Sequence, residues 1–225
     1  MRGLFITGTD TGAGKSILTA SLLAAMSDAG ERVLAYKPVL TGIDGTAEPG
    51  AWPADHELLA LASGMSAQEV APLRFGPAVS PHLAAELAGA RIDVTELVDR
   101  ARSMAQAGTL LVEGVGGLLV PLTPDLSVRD LAARIGLPVI IAARPGLGTI
   151  SHCLLTLESA RHAGLDVRAI VMTPWPPKPS AMESSNRDSV ERLGGVPVHG
   201  LPPVASPERA KLAGAAAQLP WRDWM

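Results

Sequence analysis

Aromatic side chains are scarce in this chain, with two Phe, one Tyr and four Trp among 225 residues. A core short of them must be filled by Ala, Val, Leu and Ile, which suits parallel strands covered by Ala- and Leu-rich helices. Cysteine is scarcer still. Cys153 stands alone, so no intrachain disulfide can form and a reducing compartment, the cytosol, is expected. Charge of one sign is also lacking: 19 Lys and Arg face 22 Asp and Glu, a formal net charge of −3. The basic residues are scattered and form no stripe that would fit nucleic acid. No apolar run reaches the length of a membrane span. The N-terminus leads straight into a strand pattern without signal-peptide features. Neither a nucleic-acid nor a membrane partner is expected. What the chain has in quantity is hydrophobic residues, 47% of the total, enough at this length for one large core.

The strongest motif lies at residues 3–16, GLFITGTDTGAGKS. Leu4, Phe5 and Ile6 predict a buried strand. The chain then turns through Gly8, Gly12, Ala13 and Gly14 and enters a helical pattern at Lys15 and Ser16. Strand, glycine-rich turn, Lys-Ser and helix form the phosphate-cradling P-loop arrangement, in which converging backbone N–H groups meet anionic oxygens. The helix N-terminus adds about half a positive charge. Lys15 is placed for the outer phosphates and the Ser16 hydroxyl for Mg²⁺. The spacing is one residue longer than the usual GxxxxGK[ST], since Gly8 lies six positions before Gly14.

Ile17, Leu18, Leu22, Leu23 and Met26 continue the helical spacing to a stop at Gly30. Residues 33–36 predict a second strand that ends at Lys37. A lysine at the carboxyl end of a strand lies where open α/β sheets bind ligands. Residues 41–53 read as a loop. Asp55 precedes a helix over 57–61, where it can be an N-cap or a carboxylate facing a metal. Pro81 suits the first turn of the next helix, and His82 reads as a cap or surface residue. Residues 110–112 predict a strand ending in Glu113, followed by Gly114, Val115, Gly116 and Gly117. A carboxylate so placed downstream of a P-loop faces Mg²⁺, and the small residues after it admit a ligand closely.

Residues 118–120 read as extended and 126–135 as a helix. Residues 138–143, PVIIAA, predict a buried strand that runs into a second glycine-lined helix start, where an anion could bind. Ile150, Leu154, Leu157 and Ala160 mark one face of that helix, and Gly164 ends it. His152 and Cys153 in its first turn read as structural. A strand over 167–172, a proline-stiffened loop over 174–179, a helix over 182–193 and an extended segment over 196–199 follow. Residues 201–204 form a rigid turn and 207–217 a weak helix, and Trp221 and Trp224 dock on the body or on a partner. Strands alternating with helices, with no repeat and no second core, predict one P-loop NTPase-like α/β domain over 1–225. It is doubly wound, with a mostly parallel sheet of about six or seven strands.

These residues describe a Mg²⁺–nucleotide site built from Lys15, Ser16 and Glu113, with Asp55 possible and Lys37 as an extra cation beside it. Two lysines near a γ-phosphate favour phosphoryl transfer to an anionic acceptor, because they offset developing negative charge. No Ser-His-Asp set, zinc pattern or dinucleotide GxGxxG is present.

GTDTGAGKS, YKPVLTG, VSPH, VEGVGGLLVPL and GLGTISH, in that order, together resemble the dethiobiotin synthetase family. The resemblance implies a homodimeric P-loop enzyme of biotin biosynthesis that converts 7,8-diaminononanoate, CO2 and MgATP to dethiobiotin, ADP and phosphate. It implies that Gly12, Ala13, Gly14, Lys15, Ser16 and Ile17 hold the phosphates and that Ser16, Asp55 and Glu113 surround Mg²⁺. Gly114, Val115 and Gly116 are implied on the nucleotide, as are Thr173, Pro174, Pro202, Pro203 and Val204. Lys37, with Lys15, is implied as catalytic, stabilising a carbamate and the transferred phosphoryl group. Thr11, Thr41 and Ser80 would lie near the diamine. Gly148, Thr149, Ile150 and Ser151 would bind its carboxylate across the dimer interface. The family often has GKT, EGAGG and an Asn where this chain has Ser16, Val115 and Ser151. Many members carry an Asn that reads adenine where this chain has Thr173, so acceptance of several nucleoside triphosphates is expected. A partition or division switch ATPase is the rival from another class, but such switches carry a lysine where this chain has Asp10. A cobyrinate-type amidotransferase would need a glutaminase domain, for which the chain is too short.

Overall fold

The structure is a computed structural model, and it describes residues 1–45 and 51–225. Strand β1 (Gly3–Gly8) is buried along its whole length and runs through the P-loop into helix α1 (Lys15–Asp28). Strands β2 (Val33–Tyr36), β5 (Thr109–Glu113), β6 (Val139–Ala143), β7 (Val167–Met172) and β8 (Val198–Gly200) join β1 in one sheet. Its order is β2-β5-β1-β6-β7-β8, and every pairing in it is parallel. The fold is therefore the α/β, doubly wound kind that strand–helix alternation predicts.

Side-chain alternation along the strands divides the interior into two cores. Leu4, Ile6, Leu111, Ile140, Ala142, Ala169 and Val171 face one core. Phe5, Leu110, Val112, Val139, Ile141, Ile170 and Met172 face the other. Helices α1, α2 (Asp55–Ser63) and α9 (Arg209–Ala216) cover the first. Helices α5 (Val94–Ala107), α6 (Val128–Ile135), α7 (Thr149–His162) and α8 (Ala181–Gly194) cover the second. Strands apolar on both faces are what a covered parallel sheet requires. The chain passes from β1 to neighbours on both of its sides. The carboxyl end of β1 is thus the point where the crossovers diverge and a ligand crevice opens.

Several expectations are corrected. Residues 118–120 are not extended: Leu118 and Leu119 form a turn closed by the Val120 N–H to the Gly117 carbonyl at 3.1 Å. Helix α6 begins later than expected, behind Ser127, whose N–H donates to the Asp130 carboxylate at 2.7 Å. Asp55 is not an N-cap, because Ala54 occupies the cap position and Asp55 begins the helix. His82 is neither a cap nor a surface residue; it is half-buried and its Nδ1 is buried without a partner. The tryptophans dock on the body, Trp221 4% and Trp224 3% exposed in the α1/α9 core. Residues 46–50 of the expected 41–53 loop lie outside the described residues.

Elements missed from the sequence are β3 (Val39–Thr41) and β4 (Leu73–Phe75), a separate parallel pair, the one-turn α3 (Ala67–Val70), and α5. The signal for α5 was present. Val94, Leu97, Val98 and Ala101 are its buried stripe, and Asp93 caps it by accepting from the Thr95 and Glu96 N–H groups at 2.8 and 3.2 Å. Strands β3 and β4 are three residues each, too short to show an alternation. Helix α4 (Pro81–Leu87) starts at its proline, as expected.

Candidate active site

A cleft of about 980 Å³ opens at the carboxyl end of the sheet. The P-loop forms its floor. Gly12 and Gly14 hold φ of +75° and +85°, a left-handed geometry that a side chain resists. A Cβ at Gly14 would also run into the Thr173 methyl group. The loop is therefore pressed against the end of β7, with backbone free to approach a phosphate.

Charge concentrates beside the loop. Lys37 is 2% exposed, and its Nζ donates to Asp55 Oδ2 and to Glu113 Oε1, each at 2.5 Å. Burial alone pushes the Lys37 pKa down, but the charges of Glu113 and Asp55 outweigh it and hold the ammonium above its ordinary 10.5. Burial pushes the Asp55 carboxyl up, and the Lys37 charge and hydrogen bond with that of Ser16 outweigh it, leaving it below its ordinary 3.8. Lys37 is thus an ammonium and Asp55 a carboxylate at neutral pH. Lys15 is 7% exposed and donates to the Asp10 carbonyl at 3.0 Å. Burial lowers its pKa despite the pull of Glu113.

The donor set suits Mg²⁺. The Ser16 hydroxyl donates to Glu113 Oε1 at 2.9 Å. Glu113 is fully buried, and its Oε2 has no hydrogen-bond partner among the described residues. A buried carboxylate oxygen left unpaired is costly, and a cation bound beside Ser16 would satisfy it. No group of three or more His, Cys, Asp or Glu that could hold a metal occurs among the described residues.

Of the residues singled out in the sequence, Thr11, Gly12, Gly14, Lys15, Ser16, Ile17, Lys37, Thr41 and Asp55 line the cleft. So do Ser80, Val115, Gly116, Thr173, Pro174, Pro203 and Val204. Ala13 and Gly114 are buried behind its wall, and Glu113 enters the site through Ser16 and Lys37. Pro202 lies outside the lining, as do Gly148, Thr149, Ile150 and Ser151 at the start of α7. Cys153 is fully buried with its thiol 3.5 Å from the Thr149 hydroxyl, the packing role expected of it. Sequence reasoning missed an apolar wall that includes Leu40, Trp52, Leu58 and Val79, and it missed Arg144. These four residues come from four different elements or loops and share no local pattern. Arg144 directly follows a buried strand, the same signal that singled out Lys37.

A family model described as an AAA domain matches residues 2–208. The ATP-dependent dethiobiotin synthetase BioD of Haloferax mediterranei is 36% identical over 220 residues, 96% of this chain and 90% of the relative. The same-named protein of Bacillus subtilis is 36% identical over 206 residues, 90% of this chain and 87% of its own. One from an Anaeromyxobacter species is 43% identical over 175 residues, 76% of each chain. Among solved structures, a ParA family ATPase from Chlorobium tepidum covers 97% of this chain and all of its own at TM-score 0.56 and 12% identity. The cell division ATPase MinD of Pyrococcus furiosus matches at TM-score 0.53 and 15% identity, covering 97% of this chain and 100% of its own. At such identities the structural likeness speaks for the P-loop fold alone. The sequence likeness, spread over nearly the whole chain, goes further: the chain belongs to the dethiobiotin synthetase family.

Proposed function

We propose that this chain is an ATP-dependent dethiobiotin synthetase, a ligase that closes a ureido ring on 7,8-diaminononanoate with CO2. The observation that carries the reading is the cluster of Lys37, Asp55, Glu113 and Ser16 beside the P-loop. A nucleotide switch needs only a phosphate site, whereas a second buried, charged lysine suits an anionic phosphoryl acceptor. One substrate amine takes up CO2 and loses a proton to give a carbamate. A carbamate oxygen attacks the γ-phosphorus, and ADP leaves. The second amine then attacks the carbonyl of the mixed anhydride, which closes the ring and releases phosphate. Lys15 and Lys37 oppose the negative charge spread over the acceptor and the transferring group. Ser16, Asp55 and Glu113 would hold Mg²⁺, which when bound neutralises phosphate oxygens. Thr11, Thr41 and Ser80 line the wall where the diamine would sit.

Residues 1–225 act as one domain in this reading, supported by the continuous sheet and its two covered faces. A homodimer accounts for Gly148, Thr149, Ile150 and Ser151, which are absent from the cleft of their own chain. The adjoining Leu147 is 93% exposed, an apolar residue suited to a partner surface. The substrates are small molecules. No helix of the described residues is long and apolar enough to cross a membrane, and the free Cys153 fits a cytoplasmic location. Thr173 lines the pocket without an amide to pair with adenine, which supports use of other nucleoside triphosphates besides ATP. Comparable kcat/KM for ATP and CTP is expected, and a hundredfold preference for ATP would contradict that part. Phosphate release tests the reading as a whole: diaminononanoate plus bicarbonate should stimulate it strongly, and a rate indifferent to both would favour a switch ATPase.

A further inference from the structure

The cleft holds three cations, and they differ in how they are occupied. Lys37 is paired with two carboxylates at 2.5 Å. Lys15 is bound to the carbonyl of Asp10 at 3.0 Å. Arg144 lines the same cleft, and its only ionic partner among the described residues is Asp10, with Nη2 3.6 Å from Oδ2. That separation exceeds a hydrogen bond. Both side chains are 58% exposed, so the pair adds little to stability.

The loop that carries Arg144 is nevertheless held with care. Asn186 on α8, 8% exposed, donates its amide to the carbonyl of Pro145 at 2.9 Å and to that of Gly146 at 3.3 Å. On the other side, the Thr173 N–H donates to the Ala143 carbonyl at 2.8 Å. The backbone at residues 143–146 is thus tied to β7 and α8, while the guanidinium at its centre stays solvated and weakly engaged. A fixed base under an underused guanidinium is what an oxyanion receptor needs, since a planar fork of donors matches phosphate or carboxylate. Asp10 contacts the other two cations, Lys15 through its carbonyl and Arg144 through its carboxylate.

Building on the synthetase reading, we propose that Arg144 is a further substrate-binding residue. It takes an oxyanion of one of the two anionic substrates, a nucleotide phosphate or the carboxylate of the diamino acid, and Asp10 holds it in reserve until that anion displaces the pair. Asn186 acts through the loop as a positioning residue.

The test is equilibrium titration of wild type, Arg144→Ala and Asp10→Asn, once with a non-hydrolysable ATP analogue and once with diaminononanoate in the presence of that analogue. Arg144→Ala should raise the Kd of one ligand by about tenfold or more, the loss of a charged hydrogen bond, at an unchanged Tm. A raised nucleotide Kd identifies a phosphate. A raised diamino acid Kd that disappears for the methyl ester identifies the carboxylate. Asp10→Asn should leave the same Kd unchanged or tighten it, because the competitor for Arg144 is gone. Both Kd values unchanged in Arg144→Ala would overturn the proposal. So would an Asp10→Asn variant that weakens binding as Arg144→Ala does, because the pair would then be structural. A wild type that binds both ligands but forms no dethiobiotin would instead defeat the synthetase reading and leave the Arg144 result standing.

Discussion

Lys37 is a lysine whose pKa burial alone would lower, kept charged by two carboxylates each 2.5 Å from its Nζ. Replacing it with alanine should lower kcat by about a hundredfold or more, the scale of losing one preorganised charged donor. The nucleotide Kd should move little, because the acceptor side of the reaction is what it serves. Single-turnover and binding measurements separate the two effects, and an unchanged kcat would refute the assignment. Lys15→Ala should damage both. The charges also set a pH window. The Asp55 pKa is depressed, so its share of stability is present above 3.8 and is lost as pH falls through the lower folded value. The Lys37 pKa is raised, so its share is present below 10.5 and is lost as pH rises through the higher folded value. The Tm difference between wild type and Asp55→Asn should therefore stay flat between those limits and shrink in acid. At this scale the sequence was legible where a motif or strand end marks a residue, as at Lys15, Ser16, Lys37 and Glu113. It left the role of Asp55 open, because an N-cap and an ion-pair partner look alike before a helix. It hid Trp52 and Val79, which reach the cleft only through the path of the chain.

Elements add constraints that single residues do not show. The P-loop is pressed between α1 and the end of β7, so Gly14→Ala meets both a φ of +85° and the Thr173 methyl group. The variant should retain its sheet by circular dichroism and lose nucleotide binding in a titration; retained affinity would show that the loop can widen. Helix α9 and the closing Trp221–Trp224 turn pack on α1 from behind. Trp221→Ala should cost about 3 kcal/mol or more in unfolding free energy, as removal of a buried indole does, measured by urea denaturation. Sequence periodicity located β1, β2 and β5 because continuous apolar runs ending at glycine, lysine or glutamate stand out, and it located β6 and β7 as apolar runs bounded by turn residues. It placed helix ends only to within a few residues, since caps such as Ser127 and Ser180 act through hydrogen bonds rather than through hydrophobic pattern. The turn at residues 118–119 was read as extended because its leucines look like strand. One of them, Leu118, is buried from a turn, and Leu119 is 60% exposed.

For the whole molecule, the parallel strands put the groups that line the cleft at one end of the sheet. Lys37 and Glu113 end β2 and β5, the P-loop follows β1, Arg144 follows β6, and Thr173 follows β7. The start of α7 is not among the residues that line that cleft, which is why a second copy of the chain enters the proposal. Leu147→Arg should give a monomer by analytical ultracentrifugation and lose most of its synthetase activity; a wild type that sediments as a monomer with full activity would remove the cross-subunit site. The central claim is that the γ-phosphoryl group passes to a carbamate and not to water. It is tested most directly by a rapid single turnover with C¹⁸O2, diaminononanoate and MgATP in unlabelled water, followed by mass analysis of the phosphate. The expected phosphate carries one ¹⁸O from CO2, because the carbamate oxygen that attacks the γ-phosphorus leaves with it when the ring closes. Phosphate containing only solvent oxygen would contradict the claim and return the protein to the hydrolysing ATPases.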